Sequence, residues 1–362
     1  MTVGPIMIMA GGTGGHVFPA LAVAEKLREK RQPVIWLGTH SGLEARVVPD
    51  SGIEMEWISI TGIRRRGLLA WLIAPFQILF AIAQALTTLH RRRPCAVLGM
   101  GGFVSGPGGI AAWLTRRPLL IHEQNAVAGT TNRLLARFAR RIFEAFPGSF
   151  SPAVDATCIG NPVRRSIIEV PPPRERNTAA ADRRLRLLVL GGSQGARTLN
   201  RVVPAALARL PARQRPEIWH QTGSDIEVTR AAYQREHLEP KLDVFIERMA
   251  DAYSWADLVV ARAGALTIAE LSVCGVAAIL VPYPYAVDDH QAHNAEYFAG
   301  VGAGLLIAEQ EFEPERLARE LDLLIRDRAR LLRMAELARA EAKPDAADQL
   351  AEACVEYSGL RT

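Results

Sequence analysis

Short apolar runs that end in glycine recur along the chain. Residues 6–10 (IMIMA) run into Gly11-Gly12-Thr13-Gly14-Gly15, and a small-residue helical pattern follows from about residue 19 to 30. Strand, glycine loop, helix is the opening of a βαβ unit. Residues 34–38, 96–100 and 119–122 read as further buried strands, the last two each followed by a loop and a helical stretch. Such alternation implies a parallel, doubly wound sheet. The pattern then restarts. Residues 185–190 (LRLLVL) run into Gly191-Gly192-Ser193-Gln194-Gly195, with further strands expected at 244–246, 258–261 and 278–281. The fold class is therefore α/β, with two Rossmann-like domains. The expected domains are 1–162 and 163–343, hinged near 160–164, with a helix over 344–358 completing the first. The proline-rich, charged stretch 171–184 reads as a surface loop.

One segment breaks the rhythm. Residues 68–86 (LLAWLIAPFQILFAIAQAL) carry no charge and are long enough to span a bilayer. Crossing there would separate strand 6–10 from strand 96–100, which need to share one sheet. Pro75, Gln77 and Gln84 interrupt the run, and Arg64–Arg66 and Arg91–Arg93 flank it on both sides, giving no orientation. The expectation is a helix, or two helices broken at Pro75, with one face on the sheet and an apolar face left over. A basic rim beside such a face suits interfacial binding to an anionic membrane. A wholly buried core helix would show the same pattern.

Length and charge sharpen this picture. With 362 residues, 49% of them hydrophobic and 22% charged, the chain is long enough for two domains with sizeable cores and is not of disordered composition. Charge is uneven. Residues 1–162 carry 17 Lys and Arg against 9 Asp and Glu, and residues 163–362 carry 26 against 29. The basic half should meet an anion, and its cations lie beside an apolar helix without interleaved aromatics, so lipid fits better than nucleic acid. The four cysteines are widely spaced and suit neither a disulfide scaffold nor a zinc site.

The chemistry gathers at the strand ends. The first glycine loop lacks the third glycine of a dinucleotide fingerprint, since Val17 stands there, and no G-K-[ST] follows to make a P-loop. What remains is a tight turn with bare amides at a helix start, suited to a polar or anionic ligand. His16 stands at its mouth. An imidazole, with an ordinary pKa of about 6.5, suits a general base, although a helix-start hydrogen bonder is equally compatible. A second glycine cluster spans 99–109, and His122-Glu123-Gln124-Asn125 follows a buried strand at the same sheet edge. Those four polar groups face a ligand or brace the turns. In the second half, Arg262 to Glu270 follows strand 258–261. It offers a helix start to a diphosphate and Glu270 to ribose hydroxyls, or else forms a capping box from Thr267 to Glu270. His290-Gln291-Ala292-His293-Asn294 lacks the spacing of a metal site and fits sugar hydroxyls better.

Taken together, the runs at 11–19, 99–109, 122–125, 160–164, 191–196 and 262–270 resemble the MurG family of membrane-associated glycosyltransferases of bacterial peptidoglycan synthesis, over nearly the full length. The resemblance implies a GT-B fold, its two sheets facing a deep interdomain cleft. It implies inverting, cofactor-free and metal-free transfer of N-acetylglucosamine from UDP-N-acetylglucosamine to lipid I, the undecaprenyl diphosphate-linked N-acetylmuramyl-pentapeptide, giving lipid II. By the same resemblance Thr13, Gly14, Gly15 and Asn125 touch the donor from the first half. Arg164 and Ser193 contact its diphosphate, and the Ile246 backbone reads uracil. Ala265, Leu266 and Thr267, with Ile268 and Ala269 behind them, form the phosphate-binding helix start, Glu270 holds the ribose and Gln291 binds sugar hydroxyls. His16 is the expected base and Glu123 its reserve. Peripheral attachment to the cytoplasmic face of the inner membrane and contact with other cell-wall synthesis proteins are also implied. The segment at 68–86, with Trp71, Phe76 and Phe80, is more apolar than the family pattern leads one to expect.

Overall fold

The computed structural model describes residues 4–60, 68–176, 183–192 and 195–359. Packing divides the chain into one unit of Met1–Arg164 with Pro344–Thr362, and a second of Arg165–Lys343. The break falls two residues after the expected one.

The first unit is built on seven parallel strands: β1 (Ile6–Met9), β2 (Val34–Gly38), β3 (Glu54–Trp57), β4 (Ala96–Gly99), β5 (Leu119–Glu123), β6 (Arg141–Glu144) and β7 (Ala156–Cys158), in the order β3-β2-β1-β4-β5-β6-β7. Its helices are α1 (Gly14–Glu29), α2 (Glu44–Asp50), α3 (Leu68–Arg92), α4 (Ser105–Leu114) and α5 (Thr130–Leu135). Alternation along β1 explains why it reads as a continuous apolar run. Ile6 and Ile8 pack with Val23 and Leu27 of α1, while Met7 and Met9 pack with Ala81 and Ala85 of α3 and Ala111 of α4. Strand order reverses between β1 and β4, and both glycine loops follow those two strands. That is the switch point where open α/β sheets bind ligands.

The second unit has six parallel strands: β8 (Arg186–Leu190), β9 (Glu217–Gln221), β10 (Lys241–Asp243), β11 (Leu258–Ala261), β12 (Ala277–Leu280) and β13 (Gly304–Leu306), in the order β10-β9-β8-β11-β12-β13. Its helices are α6 (Arg165–Ile168), α7 (Pro173–Arg176), α8 (Arg197–Ala208), α9 (Ile226–Arg235), α10 (Met249–Trp255), α11 (Ala265–Cys274), α12 (His290–Gly300), α13 (Pro314–Arg326) and α14 (Arg328–Ala340). The switch point lies here between β8 and β11. A last helix, α15 (Ala346–Gly359), returns to the first unit, where Leu350, Ala351 and Cys354 join the α1 core and Asp348 pairs with Lys26 at 3.2 Å.

Three local expectations change, and the alternative left open at Pro75 resolves to a single helix. Helix α1 begins at Gly14, five residues early, so Gly14, Gly15 and His16 form its first turn; Pro19, in the second turn, costs the helix the one bond its amide would have given the Gly15 carbonyl. Helix α3 runs unbroken through Pro75, which stands on the exposed side where the missing hydrogen bond faces solvent. The strand expected at 244–246 lies at 241–243 instead. It is an edge strand held through side chains: the Lys241 ammonium sits 3.3 Å from the Trp219 ring centre, and Trp219 Nε1 donates to Asp243 at 2.7 Å. The expected loop at 171–184 contains α7, and Arg176 donates to the carbonyls of Tyr253, Ala256, Cys274 and Gly275, closing the C-terminal ends of α10 and α11. Positions 177–182 lie outside the described residues.

Candidate active site

In the first unit the two glycine loops touch. A Cβ on Gly102 would lie 2.3 Å from the Gly11 carbonyl oxygen, and one on Gly101 would lie 2.7 Å from His16 Nδ1. Both residues have positive φ, +85° and +79° for Gly101 and Gly102, so glycine serves both the turn and the close approach. Ser105, at the start of α4, donates to the Met9 and Gly101 carbonyls at 3.0 and 2.7 Å and locks the second loop onto the end of β1.

His16 is half-buried and stands at the head of a chain of hydrogen bonds. Its Nδ1 meets Gln124 Oε1 at 2.9 Å; Gln124 Nε2 meets His122 Nδ1 at 3.0 Å; His122 Nε2 meets the Gly160 carbonyl at 2.9 Å. A carbonyl oxygen only accepts, so His122 carries its proton on Nε2 and its lone pair on Nδ1. That lone pair takes the Gln124 –NH2 group, which turns Oε1 toward His16. Oε1 also only accepts, so the His16 proton sits on Nδ1 and the lone pair on Nε2. Burial pushes the His122 imidazole down to about 4, the Gly160 bond opposing and His16 adding a little. His122 is therefore neutral at neutral pH, and the order of donors holds.

Glu123 has a different task. It is 2% exposed and takes four donors: the Asn125 amide at 3.0 Å and its side chain at 3.2 Å on one oxygen, the Gly129 amide at 3.0 Å and the Asn132 side chain at 2.8 Å on the other. A carboxylate so enclosed and saturated is a turn clamp and is poorly placed to accept a proton from a ligand. Its reserve role as base is withdrawn. Asn125, bound to that clamp, has its carbonyl fixed by Ser149 Oγ at 2.8 Å. Arg164 lies over the ring of Phe18 in α1, 5.4 Å from its centre. Thr13 caps α1 by position without a side-chain bond, and Gly14 and Gly15 open the helix. Thr13, Gly14, Gly15 and Arg164 thus lie at or against α1, and Asn125 follows Gln124, which bonds His16.

In the second unit, Gly264 is the N-cap of α11, with Ala265, Leu266 and Thr267 forming its first turn. The capping-box alternative fails, because Thr267 lies inside the helix. Glu270, almost buried one turn on, accepts from the Tyr253 hydroxyl at 2.9 Å. Tyr253 is fully buried and carried no signal in the sequence beyond an aromatic at a helical position. Asn294 donates to the Ala263 carbonyl at 3.1 Å and so ties α12 to the same turn. The Gln291 carbonyl accepts the Tyr283 amide at 2.9 Å. Ile246 is buried in the β10–α10 connection. Ser193 lies outside the described residues. Among those described, no cluster of three or more His, Cys, Asp or Glu is placed to hold a metal ion.

The glycosyltransferase family 28 N-terminal domain matches residues 6–144, and the family 28 C-terminal domain matches 186–350. The chain belongs to glycosyltransferase family 28. Within that family it is 57% identical over 97% of its length, and 98% of the relative's, to the UDP-N-acetylglucosamine–N-acetylmuramyl-(pentapeptide) pyrophosphoryl-undecaprenol N-acetylglucosamine transferase of Alkalilimnicola ehrlichii. It is 47% identical to the enzyme of the same name from Coxiella burnetii, over 98% of this chain and 99% of that one. The crystal structure of Acinetobacter baumannii MurG superposes with a TM-score of 0.84 at 41% identity, covering 98% of this chain and 99% of that one. The family 28 chain therefore has the GT-B architecture of two parallel-sheet domains. The calicheamicin glycosyltransferase CalG4 shares only the fold, with a TM-score of 0.68 at 16% identity.

Proposed function

We infer that this chain is a UDP-N-acetylglucosamine-dependent glycosyltransferase that adds N-acetylglucosamine to lipid I and so forms lipid II in peptidoglycan synthesis. Full-length identity of 57% to an enzyme of that name carries the reading. Its first test is transfer of labelled N-acetylglucosamine to a soluble lipid I analogue, with absence of product as the contrary result.

The site residues divide the work. The 4-hydroxyl oxygen of the muramyl sugar forms a bond to the anomeric carbon as the bond from that carbon to the diphosphate oxygen breaks, with inversion. The hydroxyl proton passes to His16 Nε2, the nitrogen that the Gln124–His122 chain leaves with its lone pair. The electron pair leaves on UDP, whose charge is met by the N-terminal end of α11 at Ala265–Thr267, by Arg164 and by Ser193. Thr13, Gly14, Gly15 and Asn125 approach the donor sugar, Ile246 the uracil through its backbone, and Gln291 the sugar hydroxyls; Ile268 and Ala269 support the phosphate turn. Glu270, oriented by Tyr253, accepts from the ribose. Glu270→Gln is expected to weaken UDP-N-acetylglucosamine binding about tenfold or more, the usual scale for a hydrogen bond to a charged group. Unchanged affinity in isothermal titration would remove Glu270 from that role.

The acceptor is a lipid, and the first unit has a surface suited to one. Helix α3 leaves Phe76, Leu79 and Phe80 at 72%, 63% and 59% exposure, so the wholly buried reading fails. It also contains a stretch, Ile73–Arg92, apolar and long enough to cross a membrane, but β1 and β4 on either side of it pair in parallel, which excludes a crossing there. On the same face of the sheet Trp113 and Leu114 at the end of α4 and Leu134 of α5 are also exposed, with Arg116, Arg117 and Arg137 nearby in the chain. Arg64–Arg66 and the side chains of 68–72, Trp71 included, lie outside the described residues. This face rests on the cytoplasmic leaflet of the inner membrane, with apolar groups in the headgroup boundary and arginines on anionic lipid. Phe76→Ser with Phe80→Ser should lower partition onto anionic vesicles at least about tenfold, since each ring forgoes roughly 1.5 kcal/mol or more of burial. Equal sedimentation with vesicles would place the lipid contact elsewhere.

A further inference from the structure

Glu44 is the most enclosed carboxylate among the described residues, at 0% exposure, and the mechanism above makes no use of it. It opens α2, beyond the end of β2. One carboxylate oxygen accepts the Thr39 amide at 3.1 Å and the Thr39 hydroxyl at 2.8 Å; the other accepts the Gly12 amide at 2.9 Å. No Lys, Arg or His pairs with it among the described residues. Burying a carboxylate on neutral donors alone is expensive, and an apolar side chain of similar size would fill the space at lower cost. The chain nonetheless makes room for it three times over. A Cβ on Gly42 would lie 1.9 Å from one of its oxygens, a Cβ on Gly11 2.7 Å from the other, and a Cβ on Gly38 2.9 Å from its Cγ.

The bond to Gly12 reaches the site. Gly12 has φ +95° and is exposed; Thr13, the N-cap of α1, follows it, and His16 stands in the next turn. The Gly12 carbonyl in turn accepts the Leu43 amide at 3.4 Å, so Leu43 and Glu44 at the start of α2 hold Gly12 by both its amide and its carbonyl. We propose that Glu44 is a positioning residue that holds the first glycine loop, and with it the His16 imidazole, at its working height over the acceptor. The proposal rests on the assignment of His16 as base.

Glu44→Gln is the sharpest probe, because it keeps the shape and turns an –NH2 group toward one of two backbone amides that need an acceptor. In the full-length enzyme it should lower kcat about tenfold while KM for UDP-N-acetylglucosamine, whose uracil and ribose contacts are proposed on the second unit, changes by less than kcat does. Combined with His16→Ala it should add less than about twofold to the loss from His16→Ala alone, since both act through one group. Wild-type kcat in Glu44→Gln overturns the proposal. So does a double variant that is slower than His16→Ala by the full single-variant factor, because that is the signature of a general structural defect. If Glu44→Gln does not melt cooperatively, Thr39→Val takes its place: it removes one donor from the carboxylate and should show a smaller loss with the same non-additivity, and additive losses there count against the clamp. A normal rate in His16→Ala beside a slow Glu44→Gln would discard the base and keep the clamp.

Discussion

Replacing His16 by alanine is expected to slow transfer by about 10²–10⁴-fold, the usual contribution of a general base, while UDP-N-acetylglucosamine binding changes little. At 1.36 kcal/mol per tenfold, that is roughly 3–5 kcal/mol of transition-state stabilisation. The size follows from what the imidazole does. A sugar hydroxyl is a weak nucleophile while it keeps its proton, and the proton must leave as the new bond forms. Among the polar groups gathered at the first glycine loop, Glu123 is saturated by four donors and His122 is buried with both nitrogens bonded. His16 Nε2 is the nitrogen that the network leaves with a lone pair. Most of the proposed nucleotide contacts lie on α11 and Glu270 rather than on His16, so loss of His16 should fall on kcat more than on donor affinity. A variant with near-normal turnover would remove His16 from the role.

The second large effect belongs to Gln124. Its amide is the one link that can both accept from His16 Nδ1 and donate to His122 Nδ1, and this two-ended demand fixes which way the amide faces. Gln124→Leu keeps the volume and removes both bonds, so His16 is free to hold its proton on either nitrogen and to rotate. A loss of about 10²-fold in kcat is expected, smaller than the ~10⁴-fold found where a charged group orients a catalytic histidine. Gln124→Glu should behave differently. Its carboxylate still accepts from His16 but has nothing to donate to His122 Nδ1, which must then take a second proton. The pH at which activity is lost on acidification should move in this variant, whereas it should not in a merely loosened protein. Equal rates in the wild type and Gln124→Leu would mean that the amide only braces the turn.

Much of this was legible in the residue pattern, for a physical reason. Strands buried on both faces, such as β1 and β8, are continuous apolar runs, and glycines mark where they turn toward ligand, so both sheets and their switch points could be placed. Strands with polar residues at mixed positions, β6 (RIFE) and β9 (EIWHQ), carry no such mark. The edge strand β10 lies three residues before the apolar run at 244–246 because its hold on the sheet is a Lys241–Trp219 stack and a Trp219–Asp243 bond, neither visible as periodicity. In the site, four consecutive polar residues at and beyond the end of β5 mark the sheet edge collectively. Their separation into a clamp (Glu123) and a relay (His122 and Gln124) depends on which donors reach each atom. Tyr253 behind Glu270, Glu44 beneath the first loop and Arg176 across two helix ends belong to the same class. Each is a single side chain whose partner lies far away in the chain.

The most direct test of His16 as base is the pH dependence of kcat, measured at saturating UDP-N-acetylglucosamine and lipid I analogue for the wild type and for His16→Ala. A single acid limb is expected in the wild type, where the rate falls as the base becomes protonated, and a slow, nearly flat profile in the variant. The same acid limb persisting in His16→Ala would show that another group takes the proton.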